Sequence, residues 1–287
     1  MKRSEFRFAE RLRVRWVEVD MQKIVFNGHY LMYFDTAVGG YWRALAMPYN
    51  ETMEYLGGDL FVRKSTVEYL GSARYDDVLD IGVRCARIGN SSLVFQCAVF
   101  RNDQALVTGE LVYVFADPAT QTSKPVPQEL REVLQGFEAG KTMVDVRVGG
   151  WDELGKDARH IRTTVFIEEQ GIPKEMEWDE ADPDPGCVHA VAYNRFGQPL
   201  ATGRLLEHVP GVAKIGRMAV SQTMRGSGVG HAVLEALMKA AREQGYREAV
   251  LHAQMSAAAF YTRAGFITRG AMFEEVGIPH IEMVRSL

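Results

Sequence analysis

The sequence Arg225-Gly226-Ser227-Gly228-Val229-Gly230 lies between an apolar run at residues 215–220 and a helical pattern at residues 231–244. A strand, a glycine-rich turn and a helix start, in this order, form a binding site for pyrophosphate. The glycines let the backbone approach the ligand, while unpaired N–H groups and the positive end of the helix dipole hold its negative charge. The spacing is not the Gly-x-Gly-x-x-Gly of dinucleotide-binding proteins, and no Gly-Lys-Ser/Thr ends it. It therefore favours a pyrophosphate carrier other than NAD or ATP.

The composition is that of an ordinary globular protein, with 287 residues, 47% hydrophobic and 24% charged, and a net charge of −4. This length suits two domains. The chain has no basic excess for nucleic acid or an anionic membrane, and no window approaches the roughly 18 apolar residues that span a bilayer. Cys85, Cys97 and Cys187 are isolated, which indicates reduced core thiols. We expect a cytoplasmic protein without a metal, a nucleic-acid partner or a membrane segment.

The first half has the pattern of one short strand, one long helix and several further strands. Residues 12–19 alternate as a half-buried strand, and residues 30–45 are apolar nearly all round, which predicts a buried helix. Further strand patterns occupy residues 61–70, 78–88, 92–101 and 104–115, with turn residues between the last three. An α+β domain in which a curled antiparallel sheet encloses a central helix accommodates this order.

The second half alternates helix and strand, which predicts an α/β domain. Helices are predicted at residues 151–166, 231–244 and 257–264, and strands at 143–148, 189–193, 198–208, 214–220 and 248–253. A polar helical tail at residues 125–141 precedes this half. We therefore place the domains at residues 1–140 and 141–287.

The segment around Arg225 resembles the acetyl-CoA site of the GNAT N-acetyltransferases. In that family the strand end at Met218, Ala219 and Val220 pairs with the pantetheine arm. The backbone of Arg225, Gly226, Ser227, Gly228, Val229 and Gly230 would then hold the pyrophosphate. The sequence Phe260-Tyr261-Thr262-Arg263-Ala264-Gly265-Phe266 resembles the family's Phe-Tyr-x-x-x-Gly-Phe, in which the tyrosine protonates the departing CoA thiolate. Residues 165–170 and 277–280 resemble the ElaA-type branch.

The resemblance implies that Tyr261 is the catalytic acid and that acetyl-CoA is the acetyl donor. The alternative for Tyr261 by itself is a core aromatic residue whose hydroxyl is capped by a carbonyl. The base that deprotonates the amine stays open between Glu169, His252, His280 and water.

The sequence from Arg15 to Leu31 resembles the hotdog-fold acyl-CoA thioesterases of the 4-hydroxybenzoyl-CoA thioesterase and YbgC/FadM groups. Asp20, Val25, Asn27, Tyr30 and Leu31 fall on the signature positions. The resemblance implies that Asp20 is catalytic, either as a base for water or as a nucleophile. A thioester carbonyl at the start of the central helix, near residues 28–30, would be polarised by free backbone N–H groups. The alternative for Asp20 is a turn residue without chemistry.

One departure from the thioesterase pattern concerns Lys23, which stands where the family has glycine. A lysine there would pair with Asp20 and make it a poorer base, or would meet a CoA phosphate. Domains of this type usually dimerise, so we expect at least a homodimer through the first half.

Together these resemblances predict a bifunctional enzyme with two activities, acyl-CoA hydrolysis in the first half and acetyl transfer to an amine in the second. Two alternatives are an acetyltransferase whose hotdog half serves only for dimerisation, and an acyl-CoA sensor without turnover.

Overall fold

The computed structural model describes residues 1–287, which form two compact units, Met1–Met143 and Val144–Leu287. Each unit has its own sheet. None of the helices has the length and apolar character required to cross a bilayer.

The first unit is a five-stranded antiparallel sheet with strand order β1-β3-β4-β5-β2. Its strands are β1 (Phe8–Arg13), β2 (Asp59–Tyr69), β3 (Val78–Ile88), β4 (Ser92–Arg101) and β5 (Gln104–Ala116). Its helices are α1 (His29–Ala44), α2 (Tyr49–Leu56) and α3 (Gln128–Glu138).

Helix α1 is the centre of this unit, and most of its aromatic residues are buried, as the apolar pattern predicted. It packs so closely on the sheet that a Cβ atom added to Gly109 of β5 would lie 2.4 Å from the Phe34 ring. Tyr41 donates a hydrogen bond to Glu138 of α3 at 2.5 Å, which ties the third helix to the first. The predicted arrangement of a helix enclosed by an antiparallel sheet is confirmed.

The predicted strand at residues 12–19 is wrong in its extent, because β1 ends at Arg13 and residues Trp16–Glu18 form a 3₁₀ turn. The cause is a local side-chain contact. The Glu18 carboxylate accepts hydrogen bonds from the backbone N–H of Arg15 at 2.6 Å and from its guanidinium at 2.9 Å, which closes the turn.

The second unit is a seven-stranded sheet with strand order β11-β12-β10-β9-β8-β7-β6. Its strands are β6 (Asp145–Gly149), β7 (Val188–Tyr193), β8 (Pro199–Val209), β9 (Val212–Val220), β10 (Glu248–Gln254), β11 (Ile267–Glu275) and β12 (Ile278–Ser286). Its helices are α4 (Trp151–Arg162), α5 (Lys174–Glu177), α6 (Val229–Glu243) and α7 (Ala258–Arg263), and a π-helical segment (Thr163–Glu169) continues α4.

This sheet is mixed, whereas alternating helix and strand patterns by themselves favour a parallel sheet. Only β9 and β10 run parallel, and every other neighbouring pair is antiparallel. The parallel pair flanks α6, because a parallel connection requires a crossover element. The glycine-rich loop is part of this crossover.

Candidate functional sites

The gap between strands β9 and β10 forms the main cleft of the second unit. The two strands pair over three positions only, ending at Lys214 and Val250. Beyond that point β9 pairs only with β8, up to Val220, and β10 pairs only with β12, up to Gln254. The inner edges of both strands therefore carry backbone groups without ladder partners. A cleft of about 940 Å³ opens between them.

Met218, Ala219 and Val220 line this cleft from the β9 side. One edge of the segment is paired, since Ala219 lies opposite Thr202 and Val220 opposite Ala201 of β8. The opposite edge faces the gap. An extended polar chain in the cleft would meet this edge as an additional strand would.

The loop at residues 225–230 closes one end of the cleft and leads into helix α6. Gly226 has φ 80° and Gly228 has φ 89°, values in the region that side-chain-bearing residues rarely adopt. The first helical hydrogen bond of α6 runs from Ala232 N–H to Gly228 C=O at 3.1 Å. The amides of residues 229–231 therefore precede the ladder and point out of the helix start, which suits an anion.

The side chains of this loop are already engaged within the protein. The Arg225 guanidinium forms two hydrogen bonds of 2.6 Å with the Glu169 carboxylate and a third of 3.3 Å with Val220 C=O. The Ser227 hydroxyl donates to Met224 C=O at 2.6 Å, and the Val229 side chain is buried. At Val229 the backbone N–H, and not the side chain, is free to meet a ligand, whereas the Ser227 N–H also donates to Met224 C=O, at 3.3 Å.

Tyr261 of α7 lines the same cleft. Its ring lies edge-on between Phe260, at a centroid distance of 4.9 Å, and Phe266, at 6.1 Å. The hydroxyl has no hydrogen-bond partner within the protein. Burial raises the pKa of Tyr261 above its ordinary value of 10, so the phenol is protonated at neutral pH. It is available to donate a proton inside the cleft.

The three candidate bases of the second unit differ in their surroundings. The hydrogen bonds from Arg225 lower the pKa of Glu169, which makes this carboxylate a poor base. His280 has Nδ1 2.8 Å from Ile278 C=O and stacks on Phe273. His252 lines the cleft with Nδ1 3.5 Å from Glu275 and Nε2 3.9 Å from Glu282.

A group of buried charges at the other end of the cleft has no counterpart in the sequence analysis. Arg162, almost fully buried, donates to Glu177 at 2.5 Å and to Asp182 at 2.7 Å. Arg204 donates to Asp182 at 2.6 Å and to both oxygens of Asp179, each at 2.6 Å. The signal in the sequence was Arg204 itself, a charge inside the apolar strand β8.

In the first unit, Asp20 lies in a short loop between the 3₁₀ turn and helix α1. The loop is closed by Asp20 N–H donating to Ile24 C=O and by Lys23 N–H donating to Asp20 C=O, both at 2.9 Å. The Asp20 carboxylate is half-buried and accepts the backbone N–H of Gln22 at 2.8 Å. Its remaining lone pairs have no partner in the protein.

Lys23 does not pair with Asp20, so the first of its two expected roles is wrong, and the contact with a CoA phosphate stays a prediction. Its side chain is exposed and forms no ion pair, and its backbone has φ 61°. This left-handed conformation is the one that glycine adopts without cost. A glycine would take this turn without strain, and the lysine of this chain takes it with backbone strain.

The start of helix α1 also differs from the expectation of free amides near residues 28–30. His29 N–H donates to Phe26 C=O at 2.9 Å, and Tyr30 N–H donates to Asn27 C=O at 3.4 Å. Among residues 28–30, only the Gly28 amide is left without a backbone acceptor. Fewer free backbone amides than predicted are therefore available at residues 28–30 to polarise a thioester carbonyl near Asp20.

The two units have two different folds. The helix enclosed by an antiparallel sheet in the first unit is the hotdog fold. The splayed parallel strand pair with its glycine loop in the second unit is the GNAT fold. Residues 22–108 match the Thioesterase superfamily, and residues 164–287 match the Acetyltransferase (GNAT) domain. The chain belongs to the GNAT acetyltransferase family through its second half and carries a thioesterase-superfamily domain in its first.

The second half is 35% identical over 136 residues to the uncharacterized N-acetyltransferase YjcF of Bacillus subtilis (strain 168), a match that covers 47% of this chain and 94% of the relative. The crystal structure of Escherichia coli ElaA is 27% identical, with 50% of this chain and 99% of that chain covered and a TM-score of 0.46. The crystal structure of a thioesterase from Thermus thermophilus, complexed with coenzyme A and Zn, is 25% identical, covering 47% of this chain and 97% of that chain, with a TM-score of 0.41.

Proposed function

We propose that this protein is a bifunctional CoA-dependent enzyme. Its second unit transfers an acetyl group from acetyl-CoA to an amine, and its first unit hydrolyses an acyl-CoA thioester. The acetyltransferase assignment of the second unit rests on one observation. A single cleft combines unpaired strand edges, unpaired helix-start amides and the unpartnered phenol of Tyr261.

In the proposed acetyl transfer, the pantetheine arm pairs with the free edge of Met218, Ala219 and Val220. The pyrophosphate lies on the free backbone amides of Gly226 and residues 228–231, since those of Arg225 and Ser227 donate to Gln222 and Met224. The amine nitrogen attacks the thioester carbonyl and forms the C–N bond, the C–S bond breaks, and the Tyr261 hydroxyl gives its proton to the thiolate. The proton that the nitrogen loses restores the Tyr261 phenol. The raised pKa of Tyr261 means that its hydroxyl is protonated at neutral pH when the thiolate forms beside it.

Replacing Tyr261 with phenylalanine tests this role. The ring contacts with Phe260 and Phe266 remain, so only the proton donor is lost. We expect kcat for acetyl transfer to fall about 100-fold or more, with little change in KM for acetyl-CoA. Tyr246→Phe, after helix α6 and outside the cleft, is the control. Transfer at the parent rate in Tyr261→Phe would remove the tyrosine from the mechanism.

In the proposed hydrolysis, Asp20 either activates water or attacks the thioester carbonyl to form an anhydride. Its half-buried carboxylate, free of any cationic partner, is consistent with both routes. Asp20→Asn keeps the hydrogen bond from Gln22, since an amide oxygen accepts it equally well. We expect thiol release from a panel of acyl-CoA thioesters to fall by at least about 100-fold.

The control for Asp20→Asn is Asp103→Asn, in the exposed turn between β4 and β5. Absent hydrolysis in the parent enzyme would favour the alternative in which the first unit serves only for dimerisation. Absent activity in both units together with measurable CoA binding would favour the acyl-CoA sensor.

We also propose that the first unit forms a homodimer through strand β2. This strand lies at the sheet edge, and the side chains of Val62 and Tyr69 on it are 54% and 52% exposed. A long edge strand with exposed apolar side chains pairs readily with a second chain. Light scattering should give a dimer for the parent, and Val62→Asp should shift the mass towards the monomer.

A further inference from the structure

The end of the cleft at the splay point, away from the glycine loop, is the place where an acceptor would meet the thioester. The glycine loop occupies one end of the cleft, and β9 and β10 separate at Lys214 and Val250. Lys214 lies opposite Val250, and His252 is two residues further along β10. Because alternate residues of a strand share a face, Lys214 and His252 lie on the same side of the sheet. Both line the cleft.

Most charged groups at this end are neutralised by partners inside the protein. Asp179 is paired with Arg204, and Glu282 accepts a hydrogen bond of 2.6 Å from Arg269. Burial raises the pKa of the Glu177 carboxyl group, while its ion pair with Arg162, at 2.5 Å, acts in the opposite direction. These pairs hold the wall of the cleft and leave no net charge for a ligand.

Two groups at this end have no strong partner. The Lys214 ammonium forms no ion pair. Arg217, by contrast, is paired, with Nη2 3.2 Å from Asp179 and Nε 3.5 Å from Glu177. The Glu275 carboxylate is half-exposed and has only His252 beside it, at 3.5 Å. One anionic and one cationic group therefore face the same space.

We propose that the acceptor is an amine that carries its own carboxylate, of the amino-acid class. This inference rests on the proposed acetyl transfer. The ammonium group lies against Glu275 and His252, and the carboxylate lies against Lys214. A zwitterion satisfies both free groups, whereas a polyamine would bring a second cation towards Lys214 and a neutral amine would leave both charges unpaired.

His252 is then the catalytic base. Burial and the nearby Lys214 lower the pKa of His252 below its ordinary value of 6.5, while Glu275 and Glu282 act in the opposite direction. The imidazole is thus neutral at pH 7. It takes one proton from the ammonium and passes it to water, the nitrogen attacks the carbonyl carbon, and the C–N bond forms. As the C–S bond breaks, Tyr261 protonates the sulfur, and the second proton lost by the nitrogen restores the Tyr261 phenol.

The experiment compares amino acids with the amines that lack only the carboxylate. The full-length protein is assayed for thiol release from acetyl-CoA with L-phenylalanine and phenethylamine, L-methionine and 3-(methylthio)propylamine, and L-lysine and cadaverine. In each pair that the enzyme acetylates, we expect the KM of the amino acid to be at least about tenfold lower than that of the matched amine. Lys214→Met should raise KM for the amino acid about tenfold and leave that for the matched amine unchanged.

Two further variants keep the result interpretable. Lys214→Arg retains the charge and should retain the preference even where Lys214→Met folds poorly. Lys239→Met removes an exposed lysine of α6 that contacts only Glu243, and should change neither constant.

The inference is overturned if the matched amines are used as well as the amino acids, or if the preference persists in Lys214→Met. Turnover of the amines alone would leave the proposed acetyl transfer standing while removing the zwitterionic acceptor. No stimulation by any amino acid also overturns the inference, and the amines then decide whether the transfer itself survives.

Discussion

Replacing Gly228 with alanine tests whether the loop before helix α6 holds the pyrophosphate of CoA. Gly228 has φ 89° and ψ −7°, and a Cβ atom built there would have no heavy atom within 4 Å. The substitution therefore introduces no steric clash with neighbouring groups. Its cost is the backbone strain of an L-residue in the left-handed region, about 1–2 kcal/mol.

A strained conformation persists only where the surroundings enforce it, and nothing packs against this position. We expect the loop of Gly228→Ala to relax towards negative φ, which turns the amides of residues 229–231 away from a common point. Restoring the loop on binding then costs the same 1–2 kcal/mol. This corresponds to CoA affinity roughly 5- to 30-fold weaker than in the parent.

Gly245→Ala is the matched control, because Gly245 has φ 85°, has no heavy atom within 4 Å of a built Cβ, and follows the opposite end of the same helix. Gly245→Ala should lose at most about 1–2 kcal/mol of stability in thermal unfolding, and Gly228→Ala, whose loop relaxes in the free protein, should lose no more than that. Calorimetric titration with CoA should show weaker binding in Gly228→Ala only, in the binding event assigned to the second unit. CoA affinity within twofold of the parent in Gly228→Ala would refute the assignment of the loop.

Lys23→Gly should leave acyl-CoA hydrolysis within about twofold of the parent and raise stability by up to ~1 kcal/mol, since it relieves a left-handed residue; a large change in the hydrolysis rate would give Lys23 a chemical role. Arg162→Met removes the shorter of the two arginine contacts of buried Glu177 and one of the two arginine partners of buried Asp182, and should cost about 3–5 kcal/mol. Calorimetry should show a fall of roughly 10 °C or more in the unfolding midpoint, whereas Arg159→Met on the exposed side should cost under about 1 kcal/mol. The kcat/KM for the acceptor amine should fall as the pH decreases through the pKa of His252, which lies below 6.5. The imidazole is neutral above this pKa, and its protonation below it removes the base. A pH profile whose acid limb is unchanged in His252→Gln would contradict this.

The regular elements of both units could largely be predicted from the sequence because their patterns are periodic and interrupted by turn residues. Strands β3 and β4 occupy residues 78–88 and 92–101 as predicted. Asn102, between β4 and β5, has φ 54°, which is the conformation its turn requires and which asparagine tolerates. Local chemistry fixed these boundaries, so a local pattern was sufficient.

Helix α2 was not predicted, and its composition explains why. It has eight residues, of which only Thr52 and Met53 are buried, so the apolar pattern is too short to show a helical period. The π-helical segment at Thr163–Glu169 was predicted as ordinary helix up to residue 166. The residue pattern does not distinguish an α-helical from a π-helical hydrogen-bond ladder, since either would bury one face of the same segment.

The candidate functional sites likewise combine local features, which could be predicted, with long-range contacts, which could not. The glycine loop could be predicted because two of its residues need positive φ, which is a property of single residues. The contacts that determine the chemistry join distant parts of the chain, such as Arg225 with Glu169, 56 residues apart. Glu169 was therefore a candidate base in the sequence and is a bound partner of the loop in the structure. Only the fold separates these two roles.

Lys23 gives the sharpest case of a sequence departure whose meaning is conformational. A missing glycine beside a candidate catalytic aspartate suggested a change in the aspartate's charge environment. The structure places the lysine side chain in solvent and the strain in its backbone, at φ 61°. A strain of about 1–2 kcal/mol is small against the stability of a folded domain, so the turn keeps its shape and the aspartate keeps its position. The substitution therefore gives no reason to consider the first unit inactive.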